Sequence, residues 1–387
     1  MHGPPPSQTK QRRLRAGAVA ALLAVLAGCG GGGSEDDLPP VDASRLGNIP
    51  ADCSRNVQAA LSAFIDRVPD GGTVKFPAGA CYAQDGRIEV RDKRNLTIDG
   101  NGASFKSSAP NSGLKINPNW LILRGRGVRL KNMKIVGNFR LTGERSQQRV
   151  NEATTDGVGN QFNMGVGIYG GDGNHVTDMT IEDVFGDGVT VAVAHYAEGS
   201  AANPLDSPRD VHIERVKVTS AARHCFSPSQ ADGFWLEDSE ANDCWYGGFD
   251  AELDNVDQRL QDVHVLNNTF NGFNMFGIVV PVAGNGTNTK DIEIRGNRFL
   301  TYPTQPCNTI IEVGIYPTNP ASFHNVVIEG NSMKTHGTGI ALDHVRGGRV
   351  RGNRSAYEER GCARPQTPPP VRVTNSTDVA VQDNGRP

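Results

Sequence analysis

Aromatic residues make up only 6% of this 387-residue chain, and long hydrophobic runs are missing. The apolar stretch Ala18 to Ala27 spans ten residues, short of the roughly 20 that cross a bilayer. With a mean hydropathy of −0.42, that excludes a multi-span membrane protein. There is no surplus of positive charge: 39 Lys and Arg face 42 Asp and Glu, for a net −3. A nucleic-acid binder needs a basic stripe to meet phosphates, so no nucleic-acid partner is expected. What is plentiful is glycine, 46 residues or nearly twice the usual ~7%, but without the every-third-residue spacing of collagen. Length alone allows two or three domains.

The first segment reads as an address. Lys10, Arg12, Arg13 and Arg15 precede the short apolar stretch, which ends in Leu26-Ala27-Gly28-Cys29. A basic run followed by a short apolar core is the pattern of a secretory signal, and the last four residues resemble the bacterial lipobox. That resemblance implies a signal peptide over 1–28, lipid attachment at Cys29 as the sole membrane contact, and a bacterial cell-envelope location. Gly30 in place of aspartate implies the outer membrane, facing periplasm or cell surface. Residues 29–49, with Gly30 to Gly33 and the acidic Glu35 to Asp37, read as a flexible tether. Removing residues 1–28 takes away four positive charges and leaves a chain of 359 residues carrying −7. Six cysteines then remain for an oxidising compartment. Sequence neighbourhood favours Cys53–Cys81, Cys225–Cys244 and Cys307–Cys362; free buried thiols are the alternative.

A short unit recurs through the remainder: two alternating apolar residues, then a polar pair and an anchor. It appears as Leu96-Thr97-Ile98-Asp99-Gly100-Asn101, and again ending at Asn268, Asn297, Asn331, Asn353 and Asn384. Further copies end at Met133 and Val216, and weaker ones at Met179 and Ser239. The spacings between anchors run from 22 to 46. A fixed floor with loops of variable excess is what stacked coils give, because each coil closes a turn before it stacks. Period-2 alternation within each unit argues strand, and Gly and Asn at the corners suit left-handed backbone. The pattern predicts an all-β parallel solenoid over residues 50–387, each coil burying its apolar face on the next.

Before the first coil, Ser54 is placed to cap a short helix with Val57, Leu61, Phe64 and Ile65 on one face, covering the solenoid's open end. The helix leads into Asp70-Gly71-Gly72-Thr73-Val74-Lys75-Phe76-Pro77-Ala78-Gly79. A helix followed by this glycine-rich strand resembles the opening of the right-handed parallel β-helix of the pectate-lyase superfamily. The resemblance covers roughly residues 50–385 and implies action on polysaccharides by a monomeric domain.

Between the anchors runs a second strand that begins Gly-apolar. Aligned on that position, Tyr169, Thr190, Ser227, Asp250, Val279, Tyr316 and Ala341 form an outward column. Two residues on, Glu252 points the same way as Asp250, roughly 6.5–7 Å away by strand rise. Three pieces, Gly186-Asp187-Gly188-Val189, Arg223-His224-Cys225-Phe226-Ser227 and Gly248-Phe249-Asp250-Ala251-Glu252, resemble a subset of bacterial β-helix proteins. Cys225 stands where that subset has glycine, and Leu253 where proline is common.

Two carboxyl groups, one protonated, hydrolyse glycosidic bonds, with about 6.5–9.5 Å between them for inversion. Asp250, Glu252 and Asp187 are the candidates, crowding supplies the raised pKa, and Arg223 or His224 would orient substrate. Tyr169, Ser227, His195 and Tyr316 are candidate sugar contacts. The order Thr155-Asp156-Gly157-Val158, Gly186-Asp187-Gly188, His224 resembles polygalacturonase-type hydrolases, without their paired aspartates or the glycine after their histidine. The alternative chemistry is β-elimination from a uronic acid, with Arg223 as base and Asp187, Asp250 and Glu252 holding Ca²⁺; otherwise no cofactor is expected. A non-catalytic glycan-binding envelope protein is the competing class. Each residue also has a structural reading: Asp250 as a corner cap or Arg223 partner, Asp187 and His224 as inward-facing packing groups, His195 as part of a loop.

Overall fold

In the computed structural model, the described residues are 41–42, 49–107, 117–137, 162–200, 206–253, 258–281, 289–303, 307–314, 323–359 and 368–385. Residues 38–387 form one compact unit. The expected signal segment, Cys29 and the residues up to 40 lie outside the described residues, as do Tyr316, Cys362 and Thr155 to Val158.

Three parallel sheets of twelve, eleven and ten strands wind through the chain, each coil adding one strand to each sheet in turn. An inward row of the twelve-stranded sheet shows how the core is built. Ile98, Leu130, Val176, Ile213, Leu236, Val265, Ile294, Ile328 and Val350 sit side by side in register, and all are buried. Alternation within each strand thus becomes a continuous apolar column.

The anchors sit at one corner of the coil, and from Met133 onward the residue before each takes left-handed backbone: Asn132, Asp178, Arg215, Asp238, Asn267, Gly296, Gly330, Gly352 and Asp383 have φ between 48° and 65°, while at the first anchor Asn101 itself does so, at 49°. Asn, Asp and Gly adopt that conformation most readily. Arg215 has no such preference and is fastened there by Asp178, with Nε 2.6 Å from Oδ1. From Asn268 onward the anchors form a buried ladder. Asn297 Oδ1 accepts from the Asn268 backbone N–H at 2.9 Å and its side chain at 3.1 Å, while Asn297 Nδ2 donates to Val265 O at 2.8 Å and Asn331 Oδ1 at 3.0 Å. Asn331, Asn353 and Asn384 repeat the arrangement. These asparagines serve corner chemistry. Replacing one strands several buried polar groups at about 1–3 kcal/mol each, so Asn297→Ala should lower unfolding stability by about 3 kcal/mol or more, read as a denaturant midpoint.

A helix spans Gln58–Arg67 and buries Leu61, Phe64 and Ile65, with Val57 buried beside them. Ser54 does not cap it: Ser54 lies in the strand Asp52–Asn56, the N-cap position is Val57, and Asn56 Oδ1 accepts from the Gln58 N–H at 2.9 Å. Disulfides join Cys53 to Cys81 and Cys225 to Cys244. Cys307 is also disulfide-bonded, and the partner expected for it, Cys362, lies outside the described residues.

Candidate functional site

The ten-stranded sheet carries the second strand of each coil, and its register corrects the alignment read from sequence. Val166, not Ile168, stands beside Val189, and Tyr169 stands beside Ala192. Toward the other end Ile311 pairs with Ile278, so Glu312 occupies the outward position expected for Tyr316. The outward column therefore runs Gly167, Thr190, Ser227, Asp250, Val279, Glu312, Ala341, Arg372.

Five of the candidate residues converge at its centre. Asp187 Oδ1 accepts from the His224 backbone N–H at 3.0 Å, and its Oδ2 accepts from Arg223 at 3.3 Å and Thr190 at 3.4 Å. Arg223 reaches with its other terminal nitrogen to Glu252. The His224 ring lies between the acids, Nε2 3.2 Å from Asp250 Oδ2 and Nδ1 3.5 Å from Asp187 and 3.9 Å from Glu252. Inward parity would send Asp187 and His224 to the core. Both are buried, at 1% and 4% exposure, but they flank the turns into their strands and face the carboxylates instead. The Tyr246 and Phe276 rings lie 5.6 and 5.8 Å from His224 and shield it.

Burial acts on these groups in opposite ways. It pushes the Asp250 carboxyl up to about 7, helped by the Glu252 and Asp187 charges and opposed by His224 and Arg223. Asp250 Oδ1 is buried without a hydrogen-bond partner. Burial also works against charge on Asp187, but Arg223 and the hydrogen-bonded His224 outweigh it and hold that carboxyl below its ordinary range. Desolvation alone would lower His224; the surrounding Asp250, Asp187 and Glu252 reverse it and the ring is shifted up. Arg223, although desolvated, is held more firmly protonated by the same acids.

Two cavities flank the cluster along the solenoid axis. One, of about 270 Å³, is lined by Asp187, Arg223, Ser227 and Glu252 with Thr190 and Tyr196. The other, of about 260 Å³, runs from Asp250 past Phe276 and Thr309 to Glu312 and Arg372. Ser227 lines the first cavity as expected, but it is buried, at 1% exposure. Tyr169 also lines that cavity, but at 1% exposure it is no open stacking platform. It is buried with Leu121, Leu123, Ala192 and Ala194 beneath the inserted helix Ala194–Glu198, and its hydroxyl meets Met164 sulfur at 3.6 Å. His195 belongs to that helix and packs on Tyr196, ring centroids 4.6 Å apart, while Tyr196 itself faces the cavity. Glu198 fastens the helix to the sheet through Arg124 at 2.6 Å and Arg91 at 2.7 Å, so the insertion is a fixed wall. Phe162, Met164, Glu312 and Arg372 were not legible as site residues; the first two lie ahead of their strand, and the others emerge only in the true register.

Asp187, His224 and Glu252 each offer one ligand atom within 4.8 Å of the others. Calcium takes roughly six to eight oxygen ligands, whereas this set includes an imidazole, and the Arg223 guanidinium already lies against both acids. Asp187, His224 and Glu252 together are therefore not a Ca²⁺ donor set.

Stacked coils and three parallel sheets define a right-handed parallel β-helix. Solved structures of the same fold include the surface adhesin PfbA of Streptococcus pneumoniae, at 13% identity over 90% of this chain and 86% of that one, TM-score 0.60. The A-module of the Azotobacter vinelandii mannuronan C-5 epimerase AlgE4 matches at 15% identity over 89% and 97%, TM-score 0.50. The catalytic unit of an α-1,3-glucanase from Streptomyces thermodiastaticus matches at 14% over 88% and 69%, TM-score 0.51. No family model matches the sequence, and no curated protein matches it.

Proposed function

We propose that this protein is a glycan-cleaving hydrolase of the cell envelope, with Asp250 as general acid. The supporting observation is a buried carboxyl held protonated to about pH 7, with one oxygen unpartnered, between two cavities that would each take sugar units of one chain. Asp250 lines one cavity and Glu252 the other, so a glycosidic bond across the cluster meets one carboxyl from each side. Asp250 donates its proton to the leaving oxygen, and the Glu252 carboxylate, oriented by Arg223, acts from the opposite side as base or nucleophile. His224 bridges both acids and Asp187 holds Arg223 and His224 in place. Arg223, strongly protonated, suits this positioning role better than that of an eliminating base. Similarity in fold to an epimerase and a glucanase agrees with a glycan substrate, although fold alone does not fix function.

The two disulfides and the bonded Cys307 support export to an oxidising compartment, which we join to the lipobox-like Cys29 as an outer-membrane anchor. The test is incubation with neutral and acidic polysaccharides, following reducing ends and the ultraviolet absorbance of unsaturated uronates, with and without chelator. New reducing ends without absorbance, insensitive to chelator, are expected. Absorbance that requires Ca²⁺ would make the protein a lyase. Binding without cleavage across the panel would make it a glycan-binding protein, the reading with which the adhesin's fold agrees.

A further inference from the structure

The outer face of the twelve-stranded sheet, away from the carboxylate cluster, carries four rings in a column. His175 stacks on His212 with centroids 4.7 Å apart and planes 9° from parallel; His212 stacks on Trp235 at 4.5 Å and 5°; Trp235 stacks on His264 at 5.2 Å and 9°. The strand register sets the column, since His175, His212, Trp235 and His264 are successive partners across four neighbouring strands. The histidines differ in what their nitrogens meet. His264 is saturated, with Nδ1 2.7 Å from Glu293 and Nε2 3.0 Å from Asp262. His212 has Nε2 3.0 Å from Asp210 Oδ1, leaving Nδ1 free. No described residue hydrogen-bonds the His175 ring.

We propose that His175 and His212 form a binding site for a borderline or soft divalent cation of the Cu²⁺, Ni²⁺ or Zn²⁺ class, with water completing the coordination. Neutral imidazole is the preferred ligand of these ions, and Ca²⁺ or Mg²⁺ would not compete for it. A ligating histidine ordinarily gives its other ring nitrogen to a carboxylate, which fixes its tautomer and orientation; Asp210 does this for His212. Trp235 pins the same ring from its other face. Burial, with His212 and Arg129 nearby, pushes the His175 ring below its ordinary pKa, which keeps its lone pair available at neutral pH although Arg129 weakens a cation's attraction. Parallel rings 4.7 Å apart point their lone pairs side by side, so two metal–nitrogen bonds of about 2.0–2.1 Å require the rings to turn out of the stack until both planes contain the ion. Both rings are partly exposed, and loss of the stack on binding is part of the proposal.

Trp235 reports occupancy because Cu²⁺ or Ni²⁺ beside His212 quenches its fluorescence. Chelator-stripped, tag-free protein titrated with Cu²⁺ and Ni²⁺ should bind one equivalent by calorimetry and lose Trp235 emission. His175→Gln and His212→Gln should each weaken binding at least tenfold, and Asp210→Asn by about 10–100-fold, with unchanged thermal melts showing that the fold survives. Trp235→Phe should abolish the quench while calorimetric binding persists. His264→Gln should bind like the native chain. No binding by the native protein, native-strength binding by either His175→Gln or His212→Gln, or an equal loss in His264→Gln would overturn the assignment.

Discussion

Asp250→Asn should lower glycan hydrolysis by roughly 10²–10⁴-fold and at the same time make the protein more stable above neutral pH. The sign follows from linkage. Unfolded, this carboxyl releases its proton near 3.9; folded, burial holds the proton to about pH 7. Between those values the native state binds more protons than the unfolded one, so this group's contribution falls as pH rises and stays low beyond 7. The full difference is about 2–4 kcal/mol. His224, also shifted up, acts in the same direction: its contribution is present below its unfolded value and lost as pH rises through the folded one. Asp187, shifted down, is opposite, losing its contribution as pH falls through its folded value. The cluster is therefore most stable in mild acid, and its protons come off as a coupled set. Asparagine keeps the shape of Asp250 and removes the charge. The variant's advantage in thermal melts should grow steadily from pH 5 to pH 8. Equal destabilisation at both pH values would show that Asp250 is not held protonated, and the acid role would fall with it.

Arg223→Ala should be the most damaging single change at the site. It removes the guanidinium from both Asp187, 1% exposed, and Glu252, leaving His224 and Thr190 beside the first and only the His224 ring at 3.9 Å beside the second. Breaking a buried pair from one side costs about 3–5 kcal/mol. The deficit should shrink in acid, because an unpaired buried Asp187 takes up a proton readily. Arg223→Lys should recover part of the stability but little activity, since one ammonium cannot reproduce a fork that meets Asp187 and Glu252 with separate nitrogens. Denaturant midpoints at pH 5 and 7.5 beside hydrolysis rates would separate the two effects. A pH-independent deficit in Arg223→Ala would mean that the guanidinium serves packing rather than charge.

The coils were legible because alternation and anchors are local and repeat many times. Slips of two residues were not, and Tyr169 shows why. Gly165-Val166 and Gly167-Ile168 carry the same Gly-apolar signal two residues apart, and both choices give identical inside-outside parity. Only the backbone ladder selects Val166 as the partner of Val189. At Gly314 the slip is four residues, since Ile311 stands beside Ile278, and it hid Glu312; Arg372 lies one coil beyond the last copy of the Gly-apolar signal. Asp250, Glu252 and Ser227 were readable because their strands align without that choice. Asp187 and His224 were assigned the wrong surroundings because parity stops describing direction where a strand leaves a turn.

The corner asparagines divide the molecule unequally. From Asn268 to Asn384 consecutive coils are tied by a continuous polar cable, whereas at the same corner earlier in the chain Met133, Met179 and Val216 bury apolar side chains in its place. Ser239 splices the two, its hydroxyl accepting from the Val216 N–H and its own N–H donating to Asn268. In a solenoid, where each coil feels its neighbours, that makes two springs in series of different stiffness. Asp187, Arg223 and His224 lie on coils ahead of that cable and Asp250 and Glu252 on the coil that joins it through Ser239, so the cluster sits where the two kinds of corner meet.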